Sequence, residues 1–143
     1  MTVDHLQSLK GPILFCRAAV SDDKGRILLV RDAQGPYAAH WDLPGGVVRH
    51  MEPLEVAIVR TLHDSLGILV WPHRVLSVAE QFDVADGSHI VSVVYAAKML
   101  SRIPRERPAE SMRVEGWYSP QALPQPIAQA AQTALGKGHF ELI

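Results

Sequence analysis

From residue 52 to residue 66 the apolar side chains fall at helical intervals. Leu54, Ile58 and Leu62 recur at i, i+4 and i+8, and Val59 and Leu66 widen the stripe. Pro53 suits a first helical turn, where its missing N–H would have no intrahelical partner. Gly67 follows as a stop. A helix with one apolar stripe must bury it, and the flanking segments supply the surface. Residues 13–20 and 27–30 are short apolar runs joined by Ser21-Asp22-Asp23-Lys24-Gly25, which reads as two strands and a turn. Trp41-Asp42-Leu43 reads as a short strand stopped by Pro44-Gly45-Gly46. Residues 74–82 and 90–100 are β-branched and apolar, with 83–88 as a hairpin connection. Residues 114–118 make a last strand, and 127–135 a second helix stopped at Gly136. Residues 33–39 and 102–110 read as loops. This order predicts an α+β chain: a mixed β-sheet with helices packed on its faces.

The chain has 143 residues, one domain's worth when domains average about 150. Residues 1–143 are therefore expected to form a single domain. With 48% hydrophobic and 20% charged residues it can build a core instead of remaining disordered. Fourteen Lys and Arg against fifteen Asp and Glu give a net charge of -1. That balance gives no electrostatic footprint for bulk nucleic acid or an anionic membrane. A single cysteine, Cys16, excludes an intrachain disulfide framework and a Cys-only zinc cluster, and a cytoplasmic location is expected. No apolar run approaches the roughly 18 residues of a membrane span, and residues 1–10 do not read as a secretion signal. The phosphate-loop, dinucleotide-binding and zinc-peptidase motifs are all missing from the sequence.

The chemistry is carried by residues 45–68, GGVVRHMEPLEVAIVRTLHDSLGI. The spacing resembles the box of the Nudix (MutT-like) hydrolases, G-x5-E-x7-R-E-U-x-E-E-x-G-U, where U is bulky and apolar. Gly46, Glu52, Arg60, Leu62, Gly67 and Ile68 fall at its intervals, so the box runs over 46–68. Leu43-Pro44-Gly45-Gly46 after Trp41 is similar to the usual lead-in, and Glu115-Gly116-Trp117-Tyr118 to a late strand of the family. The resemblance implies a Nudix-type α/β/α sandwich. It also implies metal-dependent hydrolysis, with Mg²⁺ or Mn²⁺, of a nucleoside diphosphate linked to another group. Divalent metal neutralises the diphosphate oxygens and lowers the pKa of bound water.

The acidic positions depart from that pattern. Where the family has three glutamates at i, i+3 and i+4, this chain has Thr61, Asp64 and Ser65. Hydroxyls bind Mg²⁺ far less well than carboxylates, and at neutral pH neither Thr61 nor Ser65 can act as a general base. The resemblance therefore assigns Glu52, Arg60 and Asp64 to catalysis and Asp64 to metal. Gly45, Gly46, Arg49, Thr61 and Ser65 are the candidates for substrate contact. For Thr61 and Ser65 the reading as two solvated hydroxyls is favoured over phosphate contact. Activity is expected to be weak or to use a rearranged metal site, with Glu55, Glu80, Asp83, Asp86 or Glu110 as a supplementary carboxylate. The alternative is a Nudix domain that binds a nucleotide or a protein partner without hydrolysing it. Val56 and Val59 leave a homodimer open. Arg17 and Arg31 stand inside apolar strands, where they face a ligand or sit at an edge. His50 and His63 read as surface side chains.

Overall fold

The computed structural model describes residues 11–32, 40–102 and 113–136. Six strands form one mixed sheet: β1 (Ile13–Ser21), β2 (Ile27–Asp32), β3 (Gly45–Val47), β4 (Ile68–Asp83), β5 (Ser88–Arg102) and β6 (Arg113–Tyr118). The order is β4-β5-β1-β2-β6, and β3 pairs with the first half of β1. Among the described strands only the β1–β5 pairing is parallel, with Ile13 opposite Ile90 and Ser21 opposite Lys98. Among the described residues two helices, α1 (Leu54–Leu66) and α2 (Gln129–Leu135), cover the faces.

The period of two along β1 decides which side chain meets which helix. Cys16, Ala18 and Val20 point one way and pack with Ala57, Ile58, Leu62 and Leu66 of α1. Ala19 points the other way and joins Leu29, Trp41, Val94 and the α2 residues Ala131, Ala134 and Leu135. The α1 stripe read from the sequence is thus the face that docks. Burying each of Ile58, Leu62 and Leu66 contributes about 1.5–3 kcal/mol. Pro53 stands at the N-cap, and Gly67 ends the helix in the left-handed region at φ 67, donating its N–H to His63 O at 2.9 Å.

Several boundaries differ from the sequence reading. The strand expected at 41–43 is a pair of isolated bridges, Val30–Asp42 and Trp41–Ile127, and the true strand begins at Gly45. The reason is steric: a Cβ at Gly45 would collide with the Cys16 carbonyl, so glycine lets β3 close on β1. Strand β4 starts at Ile68, six residues before the expected start, and β5 continues through Arg102, expected in a loop. Pro72 is tolerated because β4 is the outermost strand on its side among the described residues. Helix α2 begins at Gln129, since Ile127 is held in its bridge to Trp41. Helix α1 begins at Leu54 and leaves Glu52 in the preceding loop. The loop expected at 33–39, the segment 1–10, most of 102–110 and Glu110 lie outside the described residues.

Candidate active site

The loop from β3 to α1 is fastened by one carboxylate. Glu52 accepts from Arg60 at both oxygens, Nε to Oε2 at 2.7 Å and Nη2 to Oε1 at 2.9 Å. The Arg49 backbone N–H adds a bond to Oε1 at 3.0 Å, and Arg60 Nη2 also reaches Val47 O at 3.0 Å. This two-pronged pairing is the strong form of the ion pair. The Arg60 hydrogen bonds first, then the Arg49 N–H, hold the Glu52 carboxyl down at about 2. The same pairing pushes the Arg60 guanidinium up. Both residues are occupied in joining the loop to the helix. Met51, immediately before Glu52, takes a left-handed conformation at φ 58 and is 89% exposed.

One turn of α1 should present the acidic trio. The three replacements point in different directions. Thr61 is buried, against the solvated reading; its hydroxyl donates to Ile58 O at 3.3 Å and lies 3.9 Å from Cys16 Sγ. Its methyl lies 3.0 Å from where a Cβ on Gly46 would stand. Ser65 is half-buried and donates to Thr61 O at 2.6 Å, so its hydroxyl is turned back onto the helix. Asp64 alone faces outward, 59% exposed, with His63 Nδ1 at 3.5 Å. Burial pushes the Cys16 thiol up, so it stays protonated and inert.

These donors do not fit a resident divalent ion. The set is one exposed carboxylate, two hydroxyls donating to backbone carbonyls and a glutamate locked to arginine. Among the described residues no three acids, histidines or cysteines converge as metal ligands. Of the other carboxylates considered, Glu80 pairs with His89 at 2.9 Å, and Asp83 and Asp86 bind backbone N–H groups of their own hairpin.

A cavity of about 1070 Å³ opens beside Gly45, Gly46 and Val47, towards the α2 side of the sheet. Phe15, Arg17, Arg31, His40 and Asp42 line it, with Gln81 and Asp83 from the β4–β5 hairpin and Gln129 and Gln132 from α2. None of Glu52, Arg60, Thr61, Asp64 or Ser65 reaches it. The Gly45–Val47 strand is the wall that this space shares with the box loop. Arg17 sits on the interior strand β1, not at an edge, and Arg31 on β2. Arg17 Nη1 pairs with Asp42 Oδ2 at 2.9 Å and donates to Leu43 O at 3.2 Å, while Nε reaches Ser92 Oγ at 3.3 Å. Sequence reasoning missed Asp42, whose partner lies 25 positions away. A buried-strand arginine was the available signal for it.

The NUDIX domain family model matches residues 16–137. The chain is a member of the Nudix family. A MutT Nudix hydrolase structure from Burkholderia pseudomallei is 37% identical, with a TM-score of 0.79, covering 90% of this chain and 99% of that one. The sheet and helices described above follow the Nudix α/β/α sandwich of that structure. An ADP-ribose pyrophosphatase from Methanocaldococcus jannaschii is 29% identical over 94 residues, 62% of this chain. The 8-oxo-dGDP phosphatase NUDT18 from Mus musculus is 25% identical over 113 residues, 77% of this chain. The matched stretch spans 56% of the first and 33% of the second. Among the described residues no helix is long and apolar enough to cross a membrane.

Proposed function

We propose that this Nudix chain binds a nucleotide or a related diphosphate-containing small molecule in the cavity beside Gly45 and Gly46, and that its hydrolysis of that molecule is weak or absent. The observation that carries this is a division of labour. The cavity carries arginines, aromatic rings and amide groups, a chemistry suited to phosphate, base and ribose. Of the three positions where the family pattern has glutamates, the box helix keeps an outward acid at one, Asp64. The Glu52–Arg60 pair supports the loop in either case. The relatives named for ADP-ribose and 8-oxo-dGDP suggest nucleoside diphosphates as the first compounds to test.

A second reading rests on Asp64. It stands close enough to Arg60 to raise that guanidinium further, and one carboxylate with substrate phosphates can hold Mg²⁺. The experiment is a panel of ADP-ribose, sugar nucleotides and nucleoside triphosphates, assayed for binding by calorimetry and for phosphate release with Mg²⁺, Mn²⁺ or EDTA. Binding without appreciable turnover is the expected result. Rapid metal-dependent turnover that Asp64→Asn abolishes would replace the binding reading with the hydrolytic one. If no compound binds, both readings fall.

A further inference from the structure

Two arginines reach the cavity, and their neighbours treat them differently. Arg17 is committed to Asp42, Leu43 O and Ser92. Arg31 pairs with no carboxylate among the described residues, and its guanidinium carbon stands 5.1 Å from the centre of the Trp41 ring. Trp41 is itself fixed. It is 8% exposed, its backbone N–H donates to Pro126 O at 2.9 Å, and its backbone carbonyl accepts from the Ala128 N–H at 2.7 Å. The Tyr118 ring meets it edge-on, with centres 5.2 Å apart and planes at 67°. Tyr118 in turn lies over Gly116, two residues earlier on β6. A Cβ at 116 would stand 2.5 Å from Tyr118 Cε2, 2.8 Å from its hydroxyl oxygen and 2.9 Å from Cζ. Strand β6 pairs with β2, placing Gly116 opposite Leu29 and Val114 opposite Arg31. Gly116, Tyr118, Trp41 and Arg31 form one continuous stack that ends at the cavity.

We propose that Gly116 and Tyr118 are positioning residues that act through Trp41 to hold the Arg31 guanidinium at the cavity, where it receives an anionic group of the ligand; the last clause rests on the ligand reading given above. A guanidinium parked over an aromatic face keeps its N–H groups free in its own plane, the direction from which a phosphate or carboxylate approaches. Parking also removes rotamer freedom before the ligand arrives, so less is lost on binding. Glycine at 116 is what admits the tyrosine ring, as aromatic cover of a strand glycine does elsewhere.

The test is a double-mutant cycle read by titration calorimetry, with ADP as the charged probe and adenosine as the neutral one. Arg31→Gln should weaken ADP about tenfold, the scale of one lost charge-assisted hydrogen bond, and leave adenosine unchanged. Tyr118→Leu should weaken ADP about threefold to tenfold. In the Arg31→Gln background it should weaken it no further. Gly116→Ala should match Tyr118→Leu, and combining the two should be no worse than Tyr118→Leu alone. Penalties that multiply in the double variant would mean the tyrosine only packs, and an equal loss of adenosine would remove the anionic contact. If the native chain binds neither probe, the ligand reading fails. The stack is then judged without ligand, from the side-chain proton resonances of Arg31. The Trp41 ring should displace them upfield in the native chain, and Tyr118→Leu should release them. No displacement, or one that survives Tyr118→Leu, overturns the positioning role.

Discussion

Restoring the acid at position 61 is the sharpest probe of where the box helix points. Thr61 is 7% exposed and is enclosed by Cys16, Gly46 and the backbone of α1. Thr61→Glu adds heavy atoms to a filled site, at about 1–3 kcal/mol, and places a carboxyl where water is scarce. Ionisation there is disfavoured, but the cost has a ceiling. A glutamate with an ordinary pKa near 4.3 can be neutralised at pH 7 for at most about 3.7 kcal/mol. A total loss of about 1–7 kcal/mol in EDTA follows. The two parts separate by pH. Overpacking is independent of pH. The introduced carboxyl has a folded pKa above its unfolded value, so its penalty vanishes below about pH 4 and grows as pH rises towards the folded value. Urea unfolding from pH 3 to 8 measures both. If Ser65→Glu is added and the face meets a metal position, Mn²⁺ at a hundred times its Kd should return about 2.7 kcal/mol. A variant as stable as the native chain in EDTA, at every pH, would refute the inward placement of residue 61. No gain in Mn²⁺ affinity by calorimetry is what the divergent directions of Thr61, Asp64 and Ser65 imply, and a clear gain would refute them.

Two further outcomes test the loop before α1. Glu52 is held at about 2 by Arg60 and Arg49, below its ordinary value of 4.5. Its contribution to stability is therefore fully present above about pH 4.5 and is lost as pH falls towards 2. Glu52→Gln should flatten that acid limb in urea midpoints measured between pH 2 and 6, and an unchanged slope would place the carboxylate elsewhere. Met51 holds φ 58 with its side chain in solvent. Relieving a left-handed non-glycine gains about 1–2 kcal/mol, and the freer unfolded glycine takes back about 0.4–1. Met51→Gly should thus stabilise the chain by about 0.5–1 kcal/mol, seen as a raised urea midpoint with unchanged slope.

The legible parts of this molecule were those written in a single stretch of chain. Helix α1 showed itself because its stripe, its entry proline and its terminal glycine lie within fifteen positions of one another. The box was legible from intervals alone, and the Nudix membership with it. The directions of Thr61, Asp64 and Ser65 were not. Residues at i, i+3 and i+4 share a helix side, but only the contact with Cys16 and Gly46 decides which edge of that side is inside. Strand β3 was hidden because a glycine pair carries no alternation, and the first part of β4 because Pro72 reads as a breaker. The cavity was illegible for a different reason. Its walls come from β1, β2, the β4–β5 hairpin and α2, brought together by a parallel pairing between strands about 75 positions apart.

The outermost strand has a consequence for how copies of this chain meet. Among the described residues the sixteen-residue β4 is paired on one side only, and with Trp71, Val75 and Val78 exposed along it such a rim would be an inviting template for lateral growth. Pro72 and the three register shifts in its pairing with β5 bend that rim out of alignment, so a neighbouring ribbon cannot add to it in step. A crowded solution of the protein should therefore stay clear of fibrils.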